Sequence, residues 1–152
     1  MRMRTLGWIL MQKRYFTLEE AQGILPQVSS KVDNVVRINE GLQILLAAEK
    51  VFEEEVHIEF DDPALMHFQS NTKLNKNIHK LYYEFYKELE ELEKIGCVVK
   101  SMDPVLVDFL VSKEGKDVFL CWKEGEEKLE FWHDIDDGFE GRKPLFNIKK
   151  TN

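Results

Sequence analysis

What the chain lacks narrows its possibilities first. Of its 152 residues only two are cysteine, Cys97 and Cys121, with no CxxC pair and no Cys/His spacing of the zinc-finger kind. A disulfide framework and a structural zinc ribbon are therefore not expected, and two reduced, buried thiols fit a cytoplasmic setting. No apolar run approaches the roughly 20 residues needed to span a bilayer, so no membrane partner is expected. The start, MRMRTLGWILMQKRYF, has basic residues ahead of a short apolar run. Leu6–Met11 is too short for a signal-peptide core, however, and no small-residue cleavage site follows. Met11 is the expected functional start, with residues 1–14 an extension. Positive charge is also in short supply: 21 Lys and Arg stand against 28 Asp and Glu, a net charge of −7. Such a chain has no global field for a polyanion, which makes nucleic acid an improbable partner.

What is present is globular, at 43% hydrophobic and 32% charged, and long enough for one domain over 1–152. Thr17 and Glu20 form a capping box ahead of a helix, with Phe16 as the hydrophobic staple. Apolar residues then recur at Leu18, Ala21, Leu25, Val28, Val32, Val35, Leu42 and Leu46, with Asn39 as the polar member of this heptad-like stripe. Pro26 lies about two turns in, where a kink or break is expected. Segment 57–69 is hard to read; Asp62-Pro63 offers one helix start and Asn71 another. A second stripe follows at Leu74, Ile78, Leu81, Phe85, Leu89, Leu92 and Ile95, and Gly96 stops it as a C′ glycine. Residues 17–95 therefore predict an antiparallel helical hairpin.

Beyond it, Glu114-Gly115 and Gly125-Glu126 centre two turn signals between runs rich in Val, Phe, Leu and Trp. Read as two-residue turns, they pair Val111 with Val118, Phe109 with Leu120 and Val107 with Trp122. On the next strand they pair Trp122 with Leu129, Leu120 with Phe131 and Val118 with His133. This face is apolar apart from His133 and needs the helices to cover it. The opposite face carries the rows Leu110–Phe119–Trp132 and Asp108–Cys121–Glu130, which a tail, the N-terminal segment or a second subunit should cover. The expected fold is α+β: a long kinked antiparallel helical hairpin on a small antiparallel sheet of three or four strands over 97–133, with 134–152 as clasp and tail.

The segments YFTLEEAQGILP, GCVVKSMDPVLVDF, LCWKEGE and WHDIDDGFEGRKPL resemble the prokaryotic family called domain of unknown function 2203. The matching residues include Asp108, Cys121, Trp122, Gly125, Glu126, Trp132, His133, Gly138, Gly141 and Arg142. The chain departs from the family pattern at Val105, where glycine is common, at Leu110-Val111, where proline-alanine is common, and in a longer connection near 57–69. The resemblance implies a fold and a cytoplasmic setting, and no activity.

Two constellations could carry chemistry. His133 with Asp134 offers imidazole and carboxylate to a metal such as zinc, manganese or iron, though the register sends the two side chains to opposite faces. The run is not a calcium loop, because the D-x-D-x-D-G spacing fails. Gly138 to Arg142 could bind an anion through converging N–H groups and a guanidinium fork; the bland alternative is that Arg142 pairs with Asp108, Glu126, Glu130 or a nearby aspartate. Candidate ligand-binding residues are thus Asp108, Glu126, Trp132, His133 and Arg142, and candidate metal ligands His133 and Asp134. Catalysis by Cys121 is not expected, since the register places it opposite His133 and no helix N-terminus lowers its pKa. Lys143, Lys149, Lys150 and Phe146 read as a solvated tail. The leading expectation is a non-enzymatic interaction or scaffold protein that forms a homodimer through its helices or outer sheet face, with no cofactor. The rival is a small-ligand or divalent-metal site at WHDIDDGFEGR, with hydrolysis as its chemistry.

Overall fold

In a computed structural model the described residues are 13–55 and 63–145, with side chains described at 13–51 and 72–145. Expectations for residues 1–12, for Asp62 as an N-cap and for the tail from Phe146 lie outside them. Helix α1 spans Leu18–Glu55 and helix α2 spans Pro63–Ile95. The sheet follows as β1 (Val98–Met102), β2 (Val105–Lys113), β3 (Lys116–Lys123), β4 (Phe131–Asp134) and β5 (Lys143–Pro144). A 3₁₀ turn at Phe139–Gly141 precedes β5. The five strands pair antiparallel in the order β1-β2-β3-β4-β5, so the α+β expectation holds and the sheet is larger than the three or four strands anticipated. The extra strand is the tail itself, bonded to β4.

The chain divides into two compact units. The first joins residues 13–33 and 89–145: the opening of α1, the last turns of α2 and the sheet. Its helix start is the capping box read from sequence. The Thr17 N–H donates to Glu20 Oε2 at 3.2 Å, and the Glu20 N–H donates to Thr17 Oγ1 at 3.0 Å. Phe16, the staple, meets the Phe109 ring edge-on at 5.3 Å, and its N–H reaches the Leu110 carbonyl at 2.8 Å. Ala21, Leu25, Val28 and Val32 are all buried. Pro26 lies inside α1, so of the kink or break expected from sequence the break does not occur. Burial of that stripe on both sides of Pro26 offsets the roughly 3 kcal/mol that an interior proline costs. Gly96 stops α2 at φ +103°, in the left-handed region that favours glycine.

The second unit, Asn34–Glu88, contains the distal parts of both helices. Val35, Leu42 and Ile78 are buried in it, and Leu81 lies 3.6 Å from the point where a Cβ on Gly41 would sit.

Within the sheet, β2 and β3 pair as the sequence indicates: Val107 with Trp122, Phe109 with Leu120, Val111 with Val118. Glu114 (φ +51°) and Gly115 (φ +77°) make the tight turn between them. The β3–β4 register differs from expectation by one residue. Phe119 opposes His133, Leu120 opposes Trp132 and Cys121 opposes Phe131. The cause is the connection. Gly125 (φ +91°) closes a turn, with the Glu126 N–H donating to the Lys123 carbonyl, but the chain then runs irregularly and re-enters the sheet at Phe131. The Trp122 indole N–H donates to the Glu126 carbonyl at 2.8 Å and Gln22 Oε1 accepts the Leu129 N–H at 3.1 Å, which fixes the detour at both ends. Because side chains alternate with period two, this one-residue difference moves every side chain of β4 to the other face.

Candidate functional site

The corrected register places His133 on the face of Asp108, Leu110, Phe119 and Cys121, not on the face that meets Phe16. Trp132 changes sides in the opposite sense. The outer rows are therefore Leu110–Phe119–His133 and Asp108–Cys121–Phe131, in place of the rows ending in Trp132 and Glu130. Sequence reasoning set Cys121 and His133 apart; the structure brings them together.

Asp108, Cys121 and His133 form a buried polar cluster whose candidate ligand atoms all lie within 4.8 Å of one another. Their residues are 1%, 1% and 4% exposed, so the cluster is sealed from solvent. His133 Nε2 lies 3.0 Å from Asp108 Oδ2, and Nδ1 lies 2.8 Å from the Asp134 carbonyl oxygen. A carbonyl and a carboxylate both accept, so the ring satisfies both as a doubly protonated imidazolium. Burial opposes that charge, but the hydrogen bonds to Asp108, Cys121 and the Asp134 carbonyl outweigh it and raise the His133 pKa to about 10. Burial also pushes the Cys121 thiol up, against a lowering contribution from His133. The second Asp108 oxygen, Oδ1, is buried with no hydrogen-bond partner.

Beside the cluster, Arg142 fastens the tail to the sheet. Its Nη2 donates to Glu126 Oε2 at 2.7 Å and to the Cys121 carbonyl at 3.1 Å. The guanidinium lies over the rings of Phe131 at 4.0 Å and Phe139 at 4.8 Å. Glu126 is the hub: Oε2 also accepts the Lys123 N–H at 2.9 Å, while its carbonyl takes the Trp122 indole. Burial works against the Glu126 charge, yet the Arg142 and Lys123 contacts hold its carboxyl below the usual range. Of the partners weighed from sequence for Arg142, the structure selects Glu126.

Asp134 is engaged elsewhere. Its carboxylate pairs with Lys143 at 2.8 Å and Lys116 at 2.9 Å, contacts that hold its pKa at about 2. The structure thus brings the His133 ring to Asp108 and Cys121, and the Asp134 carboxylate to two lysines. Trp132 stands apart from the cluster, with the ammonium groups of Lys113 and Lys143 over its ring at 4.3 Å and 4.7 Å. An open cavity of about 1170 Å³ lies between the first turns of α1 and the β4–β5 edge, lined in part by Leu18, Gln22, Leu129, Phe131 and Leu145. Its walls are mainly apolar and include none of the three cluster residues.

The residue that sequence reasoning missed is Cys121. Val107 to Leu110 and Val118 to Trp122 are buried without a break, so both faces of these strands are internal. Alternation carries register information only where one face is wet. The distinguishing signal was in the loop, where the Glu126 carboxylate accepts the Lys123 N–H and the chain runs on to Phe131 before pairing, instead of turning back within two residues.

No curated protein and no solved structure matches the chain. A family model described as an uncharacterized conserved protein, DUF2203, matches residues 14–145, which contain the capping box, the sheet, the buried cluster and the Arg142 clasp, and the chain belongs to that family.

Proposed function

We propose that this protein is a non-enzymatic interaction protein of the cytoplasm that self-associates through the outer face of its helices. The observation that carries this reading is the apolar surface of the Asn34–Glu88 unit. Tyr83 is 70% exposed, Ile44 69% and Tyr86 62%, with Val51 also exposed. Ile44 and Val51 are seven residues apart and Tyr83 and Tyr86 three apart, spacings that put each pair on one helical stripe. Large apolar side chains aligned in this way suit burial against a second copy of the same surface.

Two features of the sheet support the non-enzymatic half. A general base needs a lone pair, and both His133 ring nitrogens face oxygen acceptors. A nucleophile needs access and a thiolate, and Cys121 is buried with its pKa raised. In the metal-free cluster neither group is poised as base or nucleophile, which favours the reading of Trp132–Leu145 as a clasp. The buried, unlinked Cys97 and Cys121 suit a reducing compartment.

Light scattering after size exclusion tests the reading. The expected mass is about twice the 18.0 kDa of one chain, falling to one chain for Tyr83→Ser combined with Tyr86→Ser. A wild-type monomer across the micromolar range would overturn it.

A further inference from the structure

We propose that Asp108, Cys121 and His133 form a binding site for one divalent transition metal of the zinc type. The site is separate from the helical surface and does not depend on self-association. Imidazole nitrogen, thiolate sulfur and carboxylate oxygen are the donors such an ion takes, and here they come from three adjacent strands, β2, β3 and β4. The three donor atoms lie within 4.8 Å of one another, close enough for small side-chain adjustments to bring them to the roughly 2.0–2.3 Å that such an ion requires of its ligands.

The surroundings are those of a metal site. The Nδ1–H of His133 donates to the Asp134 carbonyl at 2.8 Å, which fixes the ring and points Nε2 toward Asp108. Carbonyl support of this kind is the usual outer-shell partner of a ligating histidine. Asp108 Oδ1 has no hydrogen-bond partner in a residue 1% exposed, an arrangement costly for a carboxylate unless its spare lone pairs find a cation. The Arg142 guanidinium holds the Cys121 carbonyl at 3.1 Å, and so steadies the backbone that carries the sulfur.

Binding is balanced as an exchange. The ion takes the place of the Nε2 proton of His133 and the Sγ proton of Cys121, and two protons pass to solvent. Asp108 is already a carboxylate in its pair with the imidazolium and gives up none. The ring keeps its Nδ1–H.

The test is a Co²⁺ titration of full-length protein purified without an affinity tag and freed of metal by chelation. A thiolate-to-cobalt charge-transfer band should appear, saturate at one ion per chain and disappear when Zn²⁺ is added. The chain has two cysteines, so assignment is direct. Cys97→Ser should keep the band and Cys121→Ser should lose it, with circular dichroism checking that each variant is folded. The Cys97→Ser result alone decides if Cys121→Ser does not fold. In ¹⁵N spectra of wild-type protein, Zn²⁺ should shift Nε2 of His133 far more than Nδ1. The absence of a band in wild-type protein, or a band that is lost with Cys97, would overturn the site.

Discussion

At the scale of single residues, the His133–Asp108 pair is the contact on which the sheet interior depends most. Its side chains are 5% and 2% exposed, so removing one partner strands a charge out of water. With a chelator present, Asp108→Asn should cost about 3–5 kcal/mol by urea denaturation. Combining it with His133→Asn removes both charges and should cost less than the sum of the two single changes. Strict additivity in that cycle would mean the pair is not coupled. Asp134 gives a prediction with a defined pH window. Hydrogen bonds from Lys143 and Lys116 depress its pKa from 3.8 to about 2, so its stabilising contribution is present above the unfolded value and is lost as pH falls through the folded one. The difference in melting temperature between wild type and Asp134→Asn should therefore shrink between pH 4 and pH 2, roughly the window the linkage sets. Asp108, Glu126, His133 and Arg142 were legible as unusual residues because charge and imidazole stand out among Val, Phe and Trp. Cys121 was not, because its importance comes from the single-residue register shift of β4.

At the scale of elements, local signals were reliable wherever a backbone group required a particular side chain. The Thr17–Glu20 box, the Glu114-Gly115 turn and the Gly96 stop all satisfy specific N–H groups or positive φ values, and each was legible. The β3–β4 connection was not, since Gly125 signals a turn without signalling how long the return path is. Two glycines test this account in opposite directions. A Cβ on Gly23, inside α1, meets no atom within 4 Å, so Gly23→Ala should stabilise the protein by about 1 kcal/mol. Gly96 has φ +103°, and a Cβ there would come 2.6 Å from the Arg14 side chain, whose guanidinium donates to the Ile95 carbonyl. Gly96→Ala should destabilise by more than about 1 kcal/mol. Thermal denaturation of the two variants side by side measures both, and shifts of the same sign would refute the distinction.

At the scale of the whole molecule, α+β class and helical pairing were legible from two long apolar stripes, whereas the fifth strand was hidden because Lys143–Pro144 has neither length nor β-propensity. If two copies associate, the melting temperature should rise with protein concentration, and a concentration series would detect this without any substitution. The two-residue β5 also bears on which surfaces stay free of neighbours. It lies at the margin of the sheet with Pro144 opposite Phe131. Proline has no N–H to offer an incoming chain, and Lys143 beside it adds charge, so this margin resists strand-by-strand growth into fibrils. A chain ending at Arg142 would keep the guanidinium but strip the strand partners from Phe131 and Trp132, leaving β4 as the sheet's bare edge. Such a chain should bind thioflavin T and grow turbid at concentrations where the full chain stays clear. The least strand-like strand in the protein thus blunts the β4 side of the sheet against edge-to-edge pairing.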